Sequence, residues 1–326
     1  MKSRAEFREF YEGELRGELE RFEARRRGIL RNFSILVIVS LAVLAAGAAV
    51  GLASGEEAAV VLTIGAAILA VIACGVGWWI LTKGYRLEFK NAVVGAVARF
   101  CDPSLAYRPQ SCISESAFRE SRLFLTGVDR YRGEDYISGR IGETEIEFSE
   151  VHAEYKTTTR NSKGHTSTSY HTIFRGLFFI GDFHKNFSGV TVVLPDTAEK
   201  TFGWLGQKLQ EWNIARSEEL VKLEDPEFEH EFVVYADDQI EARYILSTAL
   251  MRRIVDFQRE MERTVYVSFV NSKVFVAISM SRNLFEPRIF RTVLDFDLVR
   301  EYLGEMELAL GIVEDLNLNT RIWSKE

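Results

Sequence analysis

Phe33–Ala53 reads FSILVIVSLAVLAAGAAVGLA, a run without a single charged residue. At about 1.5 Å of rise per residue a helix over it reaches roughly 31 Å, about the thickness of a bilayer's hydrocarbon core. A second apolar run, Ala58–Leu81, follows after only Ser54, Gly55, Glu56 and Glu57. So short a connector makes the two spans antiparallel neighbours. A cleaved signal peptide is the rival reading of the first run. It fits poorly, because the segment before the run and the run itself are both too long and a second span follows at once.

Flanking charge orients the pair. Arg25, Arg26, Arg27 and Arg31 precede the first span, Lys83, Arg86 and Lys90 follow the second, and the connector holds no cation. The positive-inside rule then places both termini in the cytoplasm and the acidic turn outside. This predicts an inner (cytoplasmic) membrane protein whose soluble part is cytoplasmic. Trp78, Trp79 and Tyr85, beside Lys83 and Arg86, stand where an interfacial aromatic belt belongs. Gly47, Gly51 and Gly55 recur every four residues, and Ala66, Ala70, Cys74 and Ala73, Gly77 offer similar faces on the second run. Small faces let helices approach closely in lipid. Packing within one hairpin uses them already, and self-association through the membrane is the alternative.

Outside the runs the charge is dense and mixed, with a formal net charge of −7 for the chain. An acidic soluble region excludes general nucleic-acid binding, which needs a basic footprint. Cys74, Cys101 and Cys112 make no disulfide framework and fit a reducing compartment. Between residues 3 and 28, Phe7, Tyr11, Leu15, Leu19 and Phe22 form an apolar stripe at helical spacing, and Tyr85, Phe89, Val93, Val97 and Phe100 repeat it after the second run. The pattern predicts a cytoplasmic amphipathic helix over 1–32, spans over 33–53 and 58–81 with an external turn at 54–57, and a helical stalk over 82–103. Asp102-Pro103 ends that stalk, because the residue before proline avoids the helical region.

Residues 104–326 read as an α+β domain, with one or two antiparallel sheets covered by helices. Expected strands are Tyr136–Ile141, Thr144–Tyr155, His171–Phe183, Val190–Leu194, Phe228–Tyr235, Thr264–Val270 and Lys273–Met280. Expected helices are Thr197–Trp212, Asp238–Leu246, Thr248–Glu260 and Phe296–Asp315. The polar stretch Lys156–Ser169 reads as a solvated loop able to meet phosphates or headgroups. One core, or two halves divided near 220, both fit the periodicity.

Chemistry-bearing patterns are sparse. His152, His165, His171 and His184 cluster in the strand region, but no spacing brings four metal ligands together, and a one-residue register slip decides whether His152 and His171 share a face. The acids from Glu224 to Glu241 lack a calcium loop; Asp238 and Glu241 fit a helix cap, and the alternating glutamates fit the wet face of a strand. Phosphate-binding glycine loops and the GxSxG elbow are absent. No catalytic, cofactor-binding or metal residue is assigned.

The stretches SRLF…GEDYISGRIG…FSEV, TIFRGLFFIGDFHKNFSG…VLPD, LEDPEFEHEFVVYADDQIEARYIL and VEDLNLNTRIW, together with the paired spans, resemble the bacterial membrane family called domain of unknown function 3137. The resemblance implies a membrane protein without an assigned activity, and a membrane-associated partner of the LemA-like kind. The resulting expectation is a membrane-anchored interaction or scaffold module that self-associates on a lipid bilayer. A membrane-tethered sensor of a small ligand is the alternative, and an uncharacterised membrane-associated enzyme ranks last.

Overall fold

A capping box starts the chain's first helix. The Ser3 hydroxyl accepts from the Glu6 N–H, and the Glu6 carboxylate accepts from the Ser3 N–H. Helix α1 (Arg4–Phe10) passes through a π turn at Tyr11–Leu15 into α2 (Arg16–Ser54). Helix α3 (Glu57–Phe89) likewise passes through a π turn at Lys90–Val94 into α4 (Gly95–Cys101). The computed structural model describes residues 3–54, 57–160, 166–196 and 218–319; the predicted helix at Thr197–Trp212 and two residues of the external turn, Gly55 and Glu56, lie outside them. Contacts divide the chain into two units, one of 1–97 with Glu286–Glu301, the other of Ala98–Phe285 with 302–326.

The π turns answer a problem set by the sequence. Residues spaced by four drift about 40° around an α-helix at each step, so three such steps would carry a stripe roughly 120° off its face. One π turn absorbs an extra residue and takes about 100° of that drift back out. Phe7, Tyr11, Leu15 and Leu19 straddle the first π turn, and Tyr85, Phe89, Val93 and Val97 straddle the second. All eight are buried. Phe22 closes the stalk edge-on against Tyr85 and Phe89, at 5.8 Å and 5.3 Å between ring centroids.

Nearer the connector the same two helices change character. They are long and apolar enough to cross a membrane, yet only 6% and 0% of their most apolar windows is buried within the protein. Between them the approach is close. A Cβ on Gly77 would meet the Leu36 side chain at 2.6 Å, one on Gly47 would lie 3.8 Å from the Thr63 hydroxyl, and Ser40 Oγ and Cys74 Sγ are 3.7 Å apart.

The second unit is built on an antiparallel sheet, nine-stranded among the described residues, in the order β1-β2-β3-β4-β9-β8-β5-β7-β6. Its strands are β1 (Ala106–Arg108), β2 (Arg130–Ile141), β3 (Thr144–Arg160), β4 (Thr166–Asp182), β5 (Val190–Pro195), β6 (Glu219–Val221), β7 (Phe232–Ala236), β8 (Val265–Val270) and β9 (Lys273–Ser279). The helices are α5 (Glu115–Glu120), α6 (Pro226–Glu231), α7 (Gln239–Ile245), α8 (Thr248–Met261) and α9 (Phe296–Asp315), whose first turns belong to the first unit. Leu177, Phe178, Phe179 and Ile180 are consecutive and all buried, so both faces of β4 are covered. Gly176 enters that stretch at φ +151°, and a Cβ there would sit 2.0 Å from the Ile278 carbonyl oxygen. The β8–β9 hairpin turns at Asn271 and Ser272, both at positive φ, as a two-residue turn of the primed kind requires.

Three expectations are corrected or sharpened. The halves divided near 220 are one sheet, because β5 hydrogen-bonds to both β8 and β7. The described part of the polar loop is strand: β3 and β4 stay paired out to Arg160 and Thr166, where threonine, β-branched and enriched in strands, recurs on both partners. The strand expected from Phe228 begins only at Phe232. Asp225 accepts from the Glu227 and Phe228 N–H groups, and Pro226 fits the first turn, so Glu227, Glu229 and Glu231 lie on α6.

Candidate functional site

In the first unit, residues 286–301 pack on the stalk through a buried carboxylate. Glu23 accepts from Arg26 at 2.8 Å and 2.7 Å, from Arg27 at 2.9 Å, and from the Thr292 hydroxyl and Val293 N–H at 3.2 Å each. Arg26, also buried, donates its remaining nitrogen to the Ile289 carbonyl at 2.9 Å. The Arg26 guanidinium holds the Glu23 carboxyl down at about 2, against the opposing effect of burial, with help from the Val293 N–H and Arg27. Lower on the stalk Lys90, buried, pairs with Glu286 at 2.9 Å, and the Tyr11 hydroxyl donates to the Leu294 carbonyl at 2.7 Å. Glu23, Arg26 and Arg27 were visible in the sequence only as charges on a stripe-bearing helix; their i, i+3 and i, i+4 spacing beside Phe22 was the available signal.

The aromatic-belt residues separate. Trp79 is exposed, with the Lys83 ammonium 4.8 Å from its ring. Trp78 packs edge-on against Phe33 at 4.8 Å and stacks on Phe290 at 4.9 Å. Arg86 faces Glu286 at 3.4 Å. Tyr85 is buried in the stalk, where its hydroxyl has no partner among the described residues and burial pushes its pKa up to about 12. Of the glycine face, Gly47 lies against the neighbouring helix, Gly51 lies in α2, and Gly55 is outside the described residues.

The sheet unit gathers carboxylates that no spacing predicted. Glu134, Asp135 and Glu150 bring their oxygens within 4.8 Å of one another, beside a register shift between β2 and β3. This is a possible metal ligand set by donor type. The same groups have protein partners. Glu150 accepts from the Leu284 N–H at 2.9 Å, Glu134 from Asn283 at 3.3 Å, and Asp135 from the Tyr107 hydroxyl at 2.5 Å. Glu305 accepts from the Phe285 N–H at 2.8 Å and pairs with Arg282 at 3.2 Å. The arrangement therefore ties down the strap after β9, Arg282–Phe285. Elsewhere on this unit an open cleft of about 750 Å³ is lined by Ser104, Tyr136, Arg140, Glu147, Asp182, Lys273 and their neighbours.

The described histidines of the strand region do not converge. His152 meets Thr172 at 3.3 Å, and His171, one residue along β4, points to the opposite face, where it stacks on Tyr155 and meets Thr157 at 2.9 Å. His184 faces Asp182 at 3.3 Å, and His165 is outside the described residues. Asn319, from the terminal motif, accepts from the Glu143 N–H and the Thr144 hydroxyl. It caps the Gly142-Glu143 turn in the way the sequence alone did not show.

A family model described as "Protein of unknown function (DUF3137)" matches residues 172–318. The match runs from within β4 to just past α9 and bears out the resemblance to that family over this stretch. No curated protein matches the chain. Among solved structures, the crystal structure of the mycobacterial trehalose monomycolate transport factor A, TtfA, is similar at 11% identity and a TM-score of 0.33, over 68% of this chain and 96% of that one.

Proposed function

We propose that the chain is a membrane-anchored interaction module of the bacterial cytoplasmic membrane, with both termini and the sheet unit on the cytoplasmic side. The observation that carries this reading is the exposure of the apolar helix surface above a fully packed stalk. Ile38, Leu69 and Val71 are 65%, 67% and 74% exposed, an arrangement stable only where lipid covers them. The cations that flank the hairpin, against a connector with none, support the orientation. Self-association through the Gly47 face, and a LemA-like partner, belong to the same proposal.

The test is extraction of the full chain in mild detergent, followed by mass measurement and identification of whatever co-purifies. The reading expects a carbonate-resistant membrane protein that emerges as an oligomer or with a membrane partner. A lone monomer that binds nothing would sink the module, and release by carbonate would sink the anchor. A second reading, sensing of a small polar ligand, is favoured by the cleft beside Tyr136 and Arg140. It expects a ligand-dependent thermal shift within a metabolite panel that Arg140→Ala abolishes.

A further inference from the structure

We infer that residues 286–293 form a third membrane contact, with Phe290 seated at the lipid headgroup boundary beside the hairpin. Within this segment Pro287, Ile289 and Val293 are buried, while Phe290 is 73% exposed. Its ring lies flat on Trp78, with 7° between the planes. Trp78 in turn packs on Phe33, the first residue of the first apolar run. Phe290 therefore stands at the level where the charged stalk surface ends and the apolar helix surface begins.

The exposure is held in place. Arg26 fixes the carbonyl of Ile289, one residue before the ring, and Glu23 fixes the N–H of Val293, three residues after it. A backbone pinned on both sides cannot fold the ring back into the stalk, so the side chain needs an apolar surrounding from outside. Charge at the same level suits anionic headgroups. Arg291 and Arg31 are exposed and have no ion-pair partner among the described residues, and Lys83 caps Trp79. An aromatic ring next to arginine and lysine is the composition that settles at a membrane interface. The occupant is thus the bilayer already entered by the hairpin, and the contact would fix the 286–293 segment at the membrane surface. This inference rests on the membrane reading proposed above.

The experiment uses the unmodified full chain in nanodiscs of phosphatidylcholine with a minority of phosphatidylglycerol. A fraction of the lipid carries a photoactivatable diazirine high on the acyl chain, and labelled residues are mapped by mass spectrometry after illumination. The expected result is label on the hairpin and on Phe290, several-fold above the background at Ile240, an exposed apolar residue of the sheet unit. Label on the hairpin with none above background at 286–293 would overturn the inference and leave the membrane reading standing. A hairpin without label would overturn the membrane reading, and the inference with it.

Discussion

The hairpin and the sheet are made of the same side chains turned in opposite directions. Ile38 and Leu69 on the helices are 65% and 67% exposed, whereas Phe178 and Val276 in the sheet are completely buried. The difference lies in geometry rather than composition. A sheet can be covered on both faces by its own helices and loops, but two helices cover only the seam between them. Their outer surface must find its partner elsewhere, and the stalk shows the limit of that rule. Where the apolar residues narrow to a single stripe, a helix pair buries them unaided.

The sharpest test of this contrast truncates one residue on each side. Phe178→Ala should cost about 3–5 kcal/mol through lost burial and the cavity left behind, read as a lower denaturation midpoint of the sheet unit in the detergent-solubilised chain. Leu69→Ala should leave that midpoint within about 0.5 kcal/mol; an equal cost at both sites would break the contrast.

The charges of the stalk sharpen it further. Glu23→Gln should destabilise the packing of 286–301 on the stalk by roughly 3 kcal/mol, because Arg26 is left buried without its counter-charge. Faster hydrogen exchange of residues 289–294 would register the loss, and unchanged protection would refute the role given to Glu23.

Acid should act on the same group. Its carboxyl is lowered from an ordinary 4.5 to about 2 in the folded chain, so its contribution is whole above pH 4.5. It falls away as the pH drops through about 2, by up to roughly 3 kcal/mol. The protection factor at Val293, with the intrinsic pH dependence of amide exchange divided out, should fall across that window in the native chain and stay flat in Glu23→Gln. A small effect of the opposite sign is expected at Tyr85→Phe. Removing a buried hydroxyl that has no partner among the described residues should raise stalk stability by about 1 kcal/mol or less, measured as slower exchange around Phe22 and Phe89.

How much was legible in the sequence differs between these regions for a physical reason. The hairpin and stalk repeat on the scale of one helical turn, so spacing within the chain already reports which residues share a face. The π turns at Tyr11–Leu15 and Lys90–Val94 are implicit in the strict spacing by four, although the spacing does not say that the helix rather than the stripe gives way. In the sheet unit neighbours come from far apart. The insertion of β5 between β8 and β7, the meeting of Glu134 and Asp135 with Glu150, and the Asn319 cap on the Gly142 turn depend on long-range register that no local pattern carries.

The amino-acid sequence by itself determined that two adjacent apolar helices exist, that their stripes continue past the apolar runs, and that an α+β region matching a family of unknown function follows. Only the tertiary structure decided that this region is built on one sheet, that Tyr85 is packed in the stalk rather than at its rim, and that Glu23 grips a segment more than two hundred residues away. Hydrophobic periodicity is a local property, written into consecutive residues. A buried charge keeps its place only through partners that folding brings to it, and those partners cannot be read from its own surroundings in the chain.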